Sequence, residues 1–391
     1  MLSTVISYLS NKAFHHRFIL AVSVFLLFSC GVENEREHFD IMLPATNWLA
    51  TTRDYILKIE GDNLMHSSDL GKHWKSMKNK FDSINFVHWF SDGTCLICSP
   101  NQAYYTKDFD VLYESKMYDF DGSPIVTGTG CHSFFHEFNY NSKNIFVGDR
   151  ELVIWTDYDI GSNYISRIWY SADKGRTVKC ILKNKESIID GDVLSIRHFH
   201  DSVWDDIEKC LWVTTGDFND ENMLIKGIML DGEWDFSIVL RGEHSKFGQI
   251  SYDDDYLYLV TDFTSGDAPR GLVRVKRDSV SICSAYQYLY VDPNKTAFIQ
   301  FFDDGKGHRI LFPDGAQKNV NKLYYASQSY DFRMMSFACS DGAERIIGQT
   351  YGPNNNGDII VITYRGGYGG GFTMNMNRYL LSDGLKAAGL L

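Results

Sequence analysis

Residues 67–74 read SSDLGKHW, a run with the spacing S-x-D-x-G-x-x-W. Residues 171–178, SADKGRTV, repeat the spacing apart from its last aromatic residue, and residues 106–113, TKDFDVLY, are a more divergent copy. Ser and Asp side chains two positions apart accept hydrogen bonds from the backbone of a tight turn, and Gly supplies a positive φ. Each copy lies between strand-like runs, so the spacing predicts a β-hairpin turn that recurs along the chain.

This spacing resembles the Asp box, or BNR repeat, of sialidase-like β-propellers. The resemblance implies an all-β fold, a single β-propeller of four-stranded blades whose Asp-box hairpin turns lie on the outer rim, away from the central channel. Strand-like runs bounded by turn residues form units that begin about 35 to 60 residues apart, as expected for such blades with variable loops. We predict seven blades, with six as the alternative.

Two parts of the chain bear on how the units are completed. The last strand-like runs, residues 345–349 and 358–364, form an incomplete unit, and residues 39–50 could supply its missing strands. Propellers usually close their ring in this way. In the fourth unit, the sequence predicts an opening strand at residues 193–200 and a second strand that ends at Asp217.

The amino terminus has the pattern of a lipoprotein export signal. An apolar run at residues 18–28 follows a basic segment and is too short to span a membrane comfortably. It ends in LFSC, which resembles a bacterial lipobox in which Cys30 carries the lipid. An uncleaved anchor helix is the alternative. We predict four segments: a lipoprotein-type signal peptide (residues 1–29), the lipidated Cys30 with an acidic tether (30–38), the propeller (39–379) and a C-terminal tail with at most one short helix (380–391).

The acidic tether resembles the signal that sends some bacterial lipoproteins to the outer surface. We therefore predict an outer-membrane lipoprotein of the cell envelope that is exposed at the cell surface. The formal net charge is −12, and an acidic chain without a basic run is poorly suited to nucleic acid or anionic lipid. We predict no nucleic-acid partner and a membrane contact only through the N-terminal lipid, and we leave the oligomeric state open.

The composition favours one large domain with buried thiols. Hydrophobic residues make up 44% of the 391 residues, enough for a large core. Most cysteines lie inside apolar runs, and Cys95 and Cys98 point to opposite faces if their run is a strand. The sequence therefore predicts no metal site and no cofactor.

The strongest candidates for chemistry are the runs RHFH at residues 197–200 and LWVTTGD at residues 211–217. His198 and His200 alternate with a phenylalanine, so a strand places both on one side, where imidazole can serve as acid, base or hydrogen-bond donor. The pattern resembles that of bacterial BNR-type propellers assigned to the glycosyl hydrolases. We predict catalytic roles for His198, His200 and Asp217. In the alternative interpretation, one histidine belongs to the core and Asp217 caps a turn.

Positions in other units correspond to these. Asp262 ends a strand of the fifth unit as Asp217 does in the fourth, and we predict a catalytic role for it. The loop that follows is long enough to reach over a channel mouth. Two histidines open the third unit, and an arginine beside a neighbouring strand would suit an acidic sugar. We predict substrate-binding roles for four residues: His132, His136, Arg150 and Arg270.

Aromatic residues make up 15% of the chain and can stack on sugar rings. We therefore predict a surface-exposed lipoprotein that binds carbohydrate ligands and either binds or processes glycans, with glycoside hydrolysis as the candidate reaction. Sialidase roles are not transferred, because the amino-terminal R-I-P motif of those enzymes is absent and Arg53 is followed by Asp54. The alternative function is a non-catalytic protein-interaction propeller at the cell envelope.

Overall fold

The computed structural model describes most of the chain beyond residue 39. Within the described residues, the chain forms 31 β-strands and one α-helix. The described residues are 40–43, 45–46, 56–60, 63–68, 73–78, 86–99, 102–125, 145–156, 165–262, 269–291, 298–303, 307–314, 322–327, 329–340, 346–351, 360–364 and 377–391.

Short turns separate most of the strands. The first sixteen strands are β1 (Ile41–Leu43), β2 (Ala45–Thr46), β3 (Ile56–Glu60), β4 (Asn63–Ser67), β5 (Lys75–Lys78), β6 (Phe86–Trp89), β7 (Cys95–Cys98), β8 (Ala103–Thr106), β9 (Tyr113–Glu114), β10 (Lys116–Tyr118), β11 (Ile145–Val147), β12 (Arg150–Thr156), β13 (Arg167–Ser171), β14 (Thr177–Lys183), β15 (Ile188–Ile189) and β16 (Asp192–Val193).

The second half of the chain continues in the same way. The remaining elements are β17 (Phe199–Asp205), β18 (Cys210–Thr215), β19 (Met223–Leu230), β20 (Glu233–Arg241), β21 (Phe247–Tyr252), β22 (Tyr256–Thr261), β23 (Gly271–Lys276), β24 (Gln287–Val291), β25 (Phe298–Asp303), β26 (His308–Asp314), β27 (Lys322–Ser327), β28 (Arg333–Cys339), β29 (Ile346–Tyr351), β30 (Ile360–Tyr364), β31 (Asn377–Leu380) and the helix α1 (Leu381–Ala387), with single 3₁₀ turns at Glu243–Ser245, Arg277–Ser279 and Cys283–Ala285.

Seven sheets of three to five strands follow one another along the described residues, and we number them in chain order. They are β3–β5, β6–β9, β11–β14 with β10, β17–β20, β21–β24, β25–β28 with β1, and β29–β31 with β2; β15 and β16 form a separate hairpin. A series of antiparallel sheets, mostly four-stranded, is the architecture of a β-propeller, which confirms the predicted all-β propeller class. The number of blades stays a prediction.

Strands from elsewhere in the chain cover the edges of three sheets. β1 pairs in parallel with β28, and β2 pairs antiparallel with β31, so the amino-terminal segment joins the edges of the sixth and seventh sheets. Residues 39–50 were predicted to complete the last unit, and β2 does so, whereas β1 joins the sixth sheet instead. In the third sheet, β10 pairs in parallel with β14. Each added strand covers backbone groups that would otherwise be open to pairing with another chain.

The fourth sheet opens later in the sequence than predicted. The strand expected at residues 193–200 begins only at Phe199, because Val193 belongs to the β15–β16 hairpin. Asp190 and Gly191 turn this hairpin with φ angles of 53° and 90°. Val193 is exposed, whereas Leu194 and Ile196 of the same run are buried but belong to no strand.

The core lies between neighbouring sheets. Every residue of β18 is buried. Leu211 and Val213 belong to the apolar cluster shared with the third sheet, whereas Cys210 and Trp212 belong to the cluster shared with the fifth. This division follows the two-residue period of a strand. The fourth sheet is therefore covered on both faces, as a propeller blade requires.

Side-chain hydrogen bonds join the first strands of successive sheets. On β17, Asp201 accepts hydrogen bonds from the backbone N–H groups of Ile250 in the next sheet and of Ser202, both at 2.8 Å. On β21, Gln249 Oε1 accepts from Phe301 N at 2.6 Å, and Gln249 Nε2 donates to Phe301 O at 2.9 Å. Burial raises the pKa of Asp201 to about 7, although both N–H donors act to lower it.

The second copy of the turn pattern joins β13 to β14 with the hydrogen bonds that its spacing predicts. Ser171 Oγ accepts from Gly175 N at 3.0 Å, and Asp173 Oδ1 accepts from Thr177 N at 2.8 Å. Gly175 has a φ of 81°, and a Cβ added to it would lie 3.0 Å from Leu96 Cδ1. Both the backbone conformation and the packing therefore require glycine at this position.

The other two copies are described in part. In the third copy, which joins β8 to β9, Phe109 N donates to Thr106 Oγ1 and Asp110 N donates to Asp108 Oδ1, both at 3.0 Å. The central residues of the first copy, 69–72, lie outside the described residues. Both described turns lie between the third and fourth strands of their units, away from the first strand.

The C-terminal residues pack on the sixth sheet. Leu381 and Leu385 of α1 are fully buried in a cluster with Phe337 of β28. Tyr325 Oη donates a hydrogen bond to Leu390 O at 2.8 Å. The short helix expected in the tail is thus part of the core. Among the described residues, no helix combines the length and the apolar character needed to cross a bilayer.

We expect Gly175→Ala to lower the free energy of unfolding by about 1–3 kcal/mol, because alanine is strained at this φ and meets Leu96. Urea denaturation of both proteins measures the difference. Gly191→Ala is the matched control, since Gly191 also has a positive φ but an added Cβ meets no atom within 4 Å. A Gly175→Ala protein that is no less stable than the control would contradict the packing role.

Candidate functional site

The four residues predicted for catalysis meet where the fourth and fifth sheets adjoin. His198 and His200 lie at the start of β17, Asp217 follows β18, and Asp262 follows β22. The first and second strands of each sheet are antiparallel, so the start of one lies beside the end of the other. We call these four residues the His–Asp cluster.

A bulge explains why the cluster forms. The register of β17 shifts between Phe199 and Asp201, so His200 is the extra residue of a bulge. The register of β21 shifts in the same way between Phe247 and Gln249. A bulge re-aims a side chain that a regular strand would place against its neighbour. The two sheets therefore present corresponding residues at one end.

His200 Nε2 is the atom around which the cluster is arranged. It lies 3.1 Å from His198 Nε2, 3.5 Å from Asp217 Oδ1 and 3.9 Å from Asp262 Oδ2. The other carboxylate oxygen of Asp217, Oδ2, lies 3.6 Å from His198 Nε2. Two imidazoles and two carboxylates thus share one small volume.

One backbone group and one side chain at the start of the fifth sheet hold the cluster in place. His200 Nδ1 lies 2.9 Å from Phe247 O, and because a carbonyl oxygen only accepts, Nδ1 carries the proton. The neutral ring therefore directs the lone pair of Nε2 into the cluster. Lys246 Nζ donates to the backbone oxygen of Asp217 at 2.8 Å, which holds the loop after β18 in place.

Burial and neighbouring charges shift the pKa values of the four cluster members in different directions. Burial raises the pKa of Asp262 and lowers the pKa of His198. Burial also acts to raise the pKa of Asp217, but the two imidazoles beside its carboxylate outweigh it and hold that pKa well below its usual range. For His200, burial acts to lower the pKa, but the hydrogen bond with Asp217 and the charge of Asp262 outweigh it, so the pKa is raised.

Three residues form the solvent side of the cluster, and we call them the rim: Arg197, Asp217 and Phe218. Arg197 Nη1 donates to Asp217 Oδ2 at 3.1 Å, and its guanidinium carbon lies 4.4 Å from the centre of the Phe218 ring. Phe218 is 52% exposed, and the Asp217 side chain is 27% exposed. In contrast, the other cluster members, His198, His200 and Asp262, are buried.

Of the other predicted site residues, one lies near the cluster, one lies on another surface and three lie outside the described residues. The charge of Arg270, which is half buried, reaches Asp262 and acts to lower its pKa. Arg150 begins β12, whereas the cluster gathers where β18 and β22 end. Those three strands are each second in their sheets, so Arg150 lies at the opposite end, about 20 Å along a seven-residue strand. Three predicted residues lie outside the described residues: His132, His136 and Cys30.

Arg150 lines a separate cleft of about 1000 Å³. No residue of the His–Asp cluster or the rim lines it. Its walls carry aromatic rings and both signs of charge, including Tyr118, Phe120, Trp234, Asp119 and Lys179. We call it the Arg150 cleft.

Sequence reasoning missed Lys246, which a comparison of units would have found. Gly216 N donates to His198 O at 3.1 Å, and Asp262 N donates to Lys246 O at 3.0 Å. Lys246 thus occupies in the fifth sheet the position that His198 occupies in the fourth. Aligning the runs HFH and KFG on their shared phenylalanine would have indicated this correspondence.

Comparisons with known proteins add no family. No family model matches the sequence, and no curated protein matches it either. Among solved structures, the chain is similar to YCF48 bound to a D1 peptide, with 10% identity over 87% of this chain and 92% of that chain and a TM-score of 0.46. It is also similar to the dihydro-heme d1 dehydrogenase NirN in complex with DHE, with 8% identity over 82% of this chain and 60% of that one and a TM-score of 0.43. The propeller class therefore rests on the order and pairing of the strands.

We expect Asp217→Asn to lower the pKa of His200, because burial remains while the carboxylate that raises the pKa is removed. The loss of folding stability in this variant should depend on pH. Asp217 stabilises the fold above its ordinary pKa of 3.8 and loses this effect on acidification. His200 stabilises the fold below its ordinary pKa of 6.5 and loses this effect as pH rises through its raised pKa. The stability difference from wild type should therefore be largest between these two values.

Denaturation from pH 3 to 9, together with NMR titration of the His200 ring, checks this expectation on protein dialysed against a chelator. Asp220→Asn, which changes an exposed carboxylate of the same loop, is the control. A stability difference that does not vary with pH would contradict it.

Proposed function

We propose that this propeller binds glycans at the rim and that Asp217, together with His200, acts on them as a general base. The observation that carries the proposal is the arrangement of an exposed ring, a guanidinium and a carboxylate at the opening of a buried His–Asp cluster. Phe218 is 52% exposed, and Arg197 lies between it and Asp217. Each of these three groups can contact a particular part of a sugar ring.

A sugar ring presents an apolar face of C–H groups and an edge of hydroxyls. The exposed face of Phe218 can stack on the former, as aromatic side chains do on apolar surfaces. The planar donors of Arg197 and the acceptor oxygens of Asp217 suit the hydroxyls, and Arg197 also suits an acidic substituent. The rim therefore fits the end or an exposed unit of a glycan chain.

Asp217 is the cluster member that reaches solvent, so it is the one that touches the substrate in this proposal. His198, His200 and Asp262 are positioning residues that set the orientation and charge of its carboxylate. A proton that Asp217 takes from a water or a sugar hydroxyl is shared with His200 Nε2, 3.5 Å away. Because these groups are coupled, the proton belongs to the pair rather than to either residue.

The same burial favours a second candidate function, ligand binding without turnover. His198, His200 and Asp262 are buried, so a ligand can cover the rim without reaching the imidazoles. In that case the cluster would hold the rim in shape, and the propeller would act as an interaction module at the cell envelope.

The Asp-box family and the cellular address are also part of the proposal. The hydrogen bonds of Ser171 and Asp173 in the described turn are those that the Asp-box spacing requires, which supports membership of that family. The run LFSC at residues 27–30 and the acidic tether support a lipoprotein of the outer membrane surface. Lipidation of Cys30 would then hold the propeller at the surface where glycans are met.

We expect the purified protein to bind at least one member of a panel of plant, mucosal and bacterial polysaccharides. Phe218→Ala should weaken that binding by at least about tenfold, because the stacking surface is lost. If a product forms, Asp217→Asn should lower kcat by about 10²-fold or more. The proposal is contradicted if the protein binds no panel member and forms no product from any of them.

Two control variants locate the binding surface. Tyr113→Ala removes an aromatic residue that is also 52% exposed but lies on β9, so it should leave binding unchanged. Arg150→Ala tests the Arg150 cleft in the same way. Loss of binding in Arg150→Ala with full binding in Phe218→Ala would move the glycan site to that cleft. Turnover that survives Asp217→Asn unchanged would exclude Asp217 as part of the general base.

We expect Cys30→Ser to prevent lipidation and to release the protein from the membrane fraction, because the lipid is the predicted membrane contact. Fractionation and metabolic labelling with a fatty acid measure both effects. Cys283→Ser is the control, since Cys283 is an exposed cysteine of the propeller. A Cys30→Ser protein that still fractionates with the outer membrane would contradict the lipobox interpretation.

A further inference from the structure

We propose that His198, His200 and Asp217 bind one divalent transition-metal ion of the zinc class. The sequence analysis predicted no metal site. The fold brings one donor atom from each to within 4.8 Å of the others. The proposal goes beyond glycan binding and does not depend on it. An ion on His200 Nε2 would take the place of the proton that Asp217 shares with that nitrogen in the metal-free protein.

The separations of the donor atoms suit such an ion. The two Nε2 atoms are 3.1 Å apart, and Asp217 presents one oxygen to each imidazole at 3.5 and 3.6 Å. Donors about 2.0–2.2 Å from a zinc ion, with angles of about 90–120° between them, lie about 2.9–3.7 Å apart. An ion can therefore enter between the three side chains with little movement.

His200 is already held in the form that binds a metal. Its Nδ1 donates to Phe247 O at 2.9 Å, which leaves the lone pair of Nε2 directed at the cluster. Histidine ligands of metals are usually held by such a hydrogen bond from the second ring nitrogen, because it fixes the tautomer and the ring orientation. Without a cation, the proximity of the two Nε2 atoms requires a proton between them, so a proton-sharing histidine pair is the competing interpretation.

Asp262 provides an independent indication of a cation. This carboxylate is 2% exposed, and its Oδ1 accepts no hydrogen bond from the described residues. Its Oδ2 lies 3.9 Å from His200 Nε2, so the group faces the proposed site. A buried carboxylate oxygen without a donor is costly, and a nearby cation removes that cost. Asp262 is thus the candidate fourth ligand or an outer carboxylate of the site.

The surrounding charges set the strength of binding. Arg197 bonds Asp217 Oδ2 at 3.1 Å, and Lys246 bonds the backbone oxygen of Asp217 at 2.8 Å; both oppose a dication. Asp217 and Asp262 attract it, and Arg270 contributes further positive charge. Arg197 is one-third exposed and stacks on Phe218, so it can release Asp217 to the ion and remain on the ring.

The donor set also selects the class of metal. Two imidazole nitrogens with a carboxylate suit zinc, cobalt, nickel or copper. Calcium and magnesium prefer sites made wholly of oxygen ligands. We therefore expect Zn²⁺ to bind and Ca²⁺ not to compete with it.

The test is a titration of the full-length protein, purified in detergent and treated with a chelator that is then removed. Zn²⁺ is added alone in a calorimeter, and Co²⁺ is added alone as a spectroscopic probe. We expect one ion per chain, and for Co²⁺ the visible absorption of a four- or five-coordinate ion. His200→Gln and Asp217→Asn should each weaken Zn²⁺ binding by at least about tenfold. The matched controls are His244→Gln and Asp220→Asn, which change exposed neighbours and should leave it unchanged.

Several results would overturn the proposal. These are no saturable Zn²⁺ binding by wild-type protein, a Co²⁺ spectrum that matches the hydrated ion, binding that both cluster variants retain, or displacement of Zn²⁺ by equimolar Ca²⁺. The Co²⁺ spectrum needs no variant, so a variant that fails to fold does not prevent the test. Phe218→Ala separates the two proposals, because it should lose glycan binding and keep Zn²⁺ binding.

Discussion

The hydrogen bond from Ile250 N to Asp201 Oδ2 joins the fourth sheet to the fifth, and the position of the candidate site depends on it. Each face of a blade is covered only by the neighbouring blade, so the first strands of adjacent sheets must be held in fixed positions relative to each other. Gln249 makes the corresponding bonds to Phe301 in the sixth sheet. Both residues come directly after a bulge, and the bulge that frees Asp201 to reach the next sheet also turns His200 into the cluster. Packing of the blades and assembly of the site are therefore consequences of one local distortion.

The parts of the fold that sequence predicted are those fixed by neighbouring residues. The turn at Ser171 to Thr177 depends on side chains that bond their own backbone, so its spacing is visible in the sequence. The failure at residues 193–200 has the opposite cause. An apolar run there resembles a core strand, but Asp190 and Gly191 form a tight turn that takes Val193 into a surface hairpin. Alternation of apolar residues does not show whether Val193 pairs within the fourth sheet or within the separate β15–β16 hairpin.

The site shows the same division. His198, His200, Asp217 and Asp262 were found because they stand at corresponding ends of strands in two units. Arg150 also stands at a strand end, but it begins β12 and so lies at the end of the sheets opposite the cluster. The sequence shows where a strand ends, but it does not show which strand ends meet. The carbonyl of Phe247, which fixes the tautomer of His200, could not be predicted from residue types because every residue has a carbonyl. Lys246 was recognisable only by aligning one unit on another.

The cluster places four titratable side chains where the two sheets adjoin. Buried titratable groups are costly, and apolar side chains of similar size would pack two sheets at least as well. The two oxygens of Asp217 have different neighbours: Oδ1 lies near His200, whereas Oδ2 lies between His198 and Arg197 at the rim. The proposed metal would take the inner side of this carboxylate, and the proposed glycan would approach through the outer side. Asp217 thus belongs to both proposed sites, and a metal bound on its inner side would change the charge that a glycan meets on its outer side.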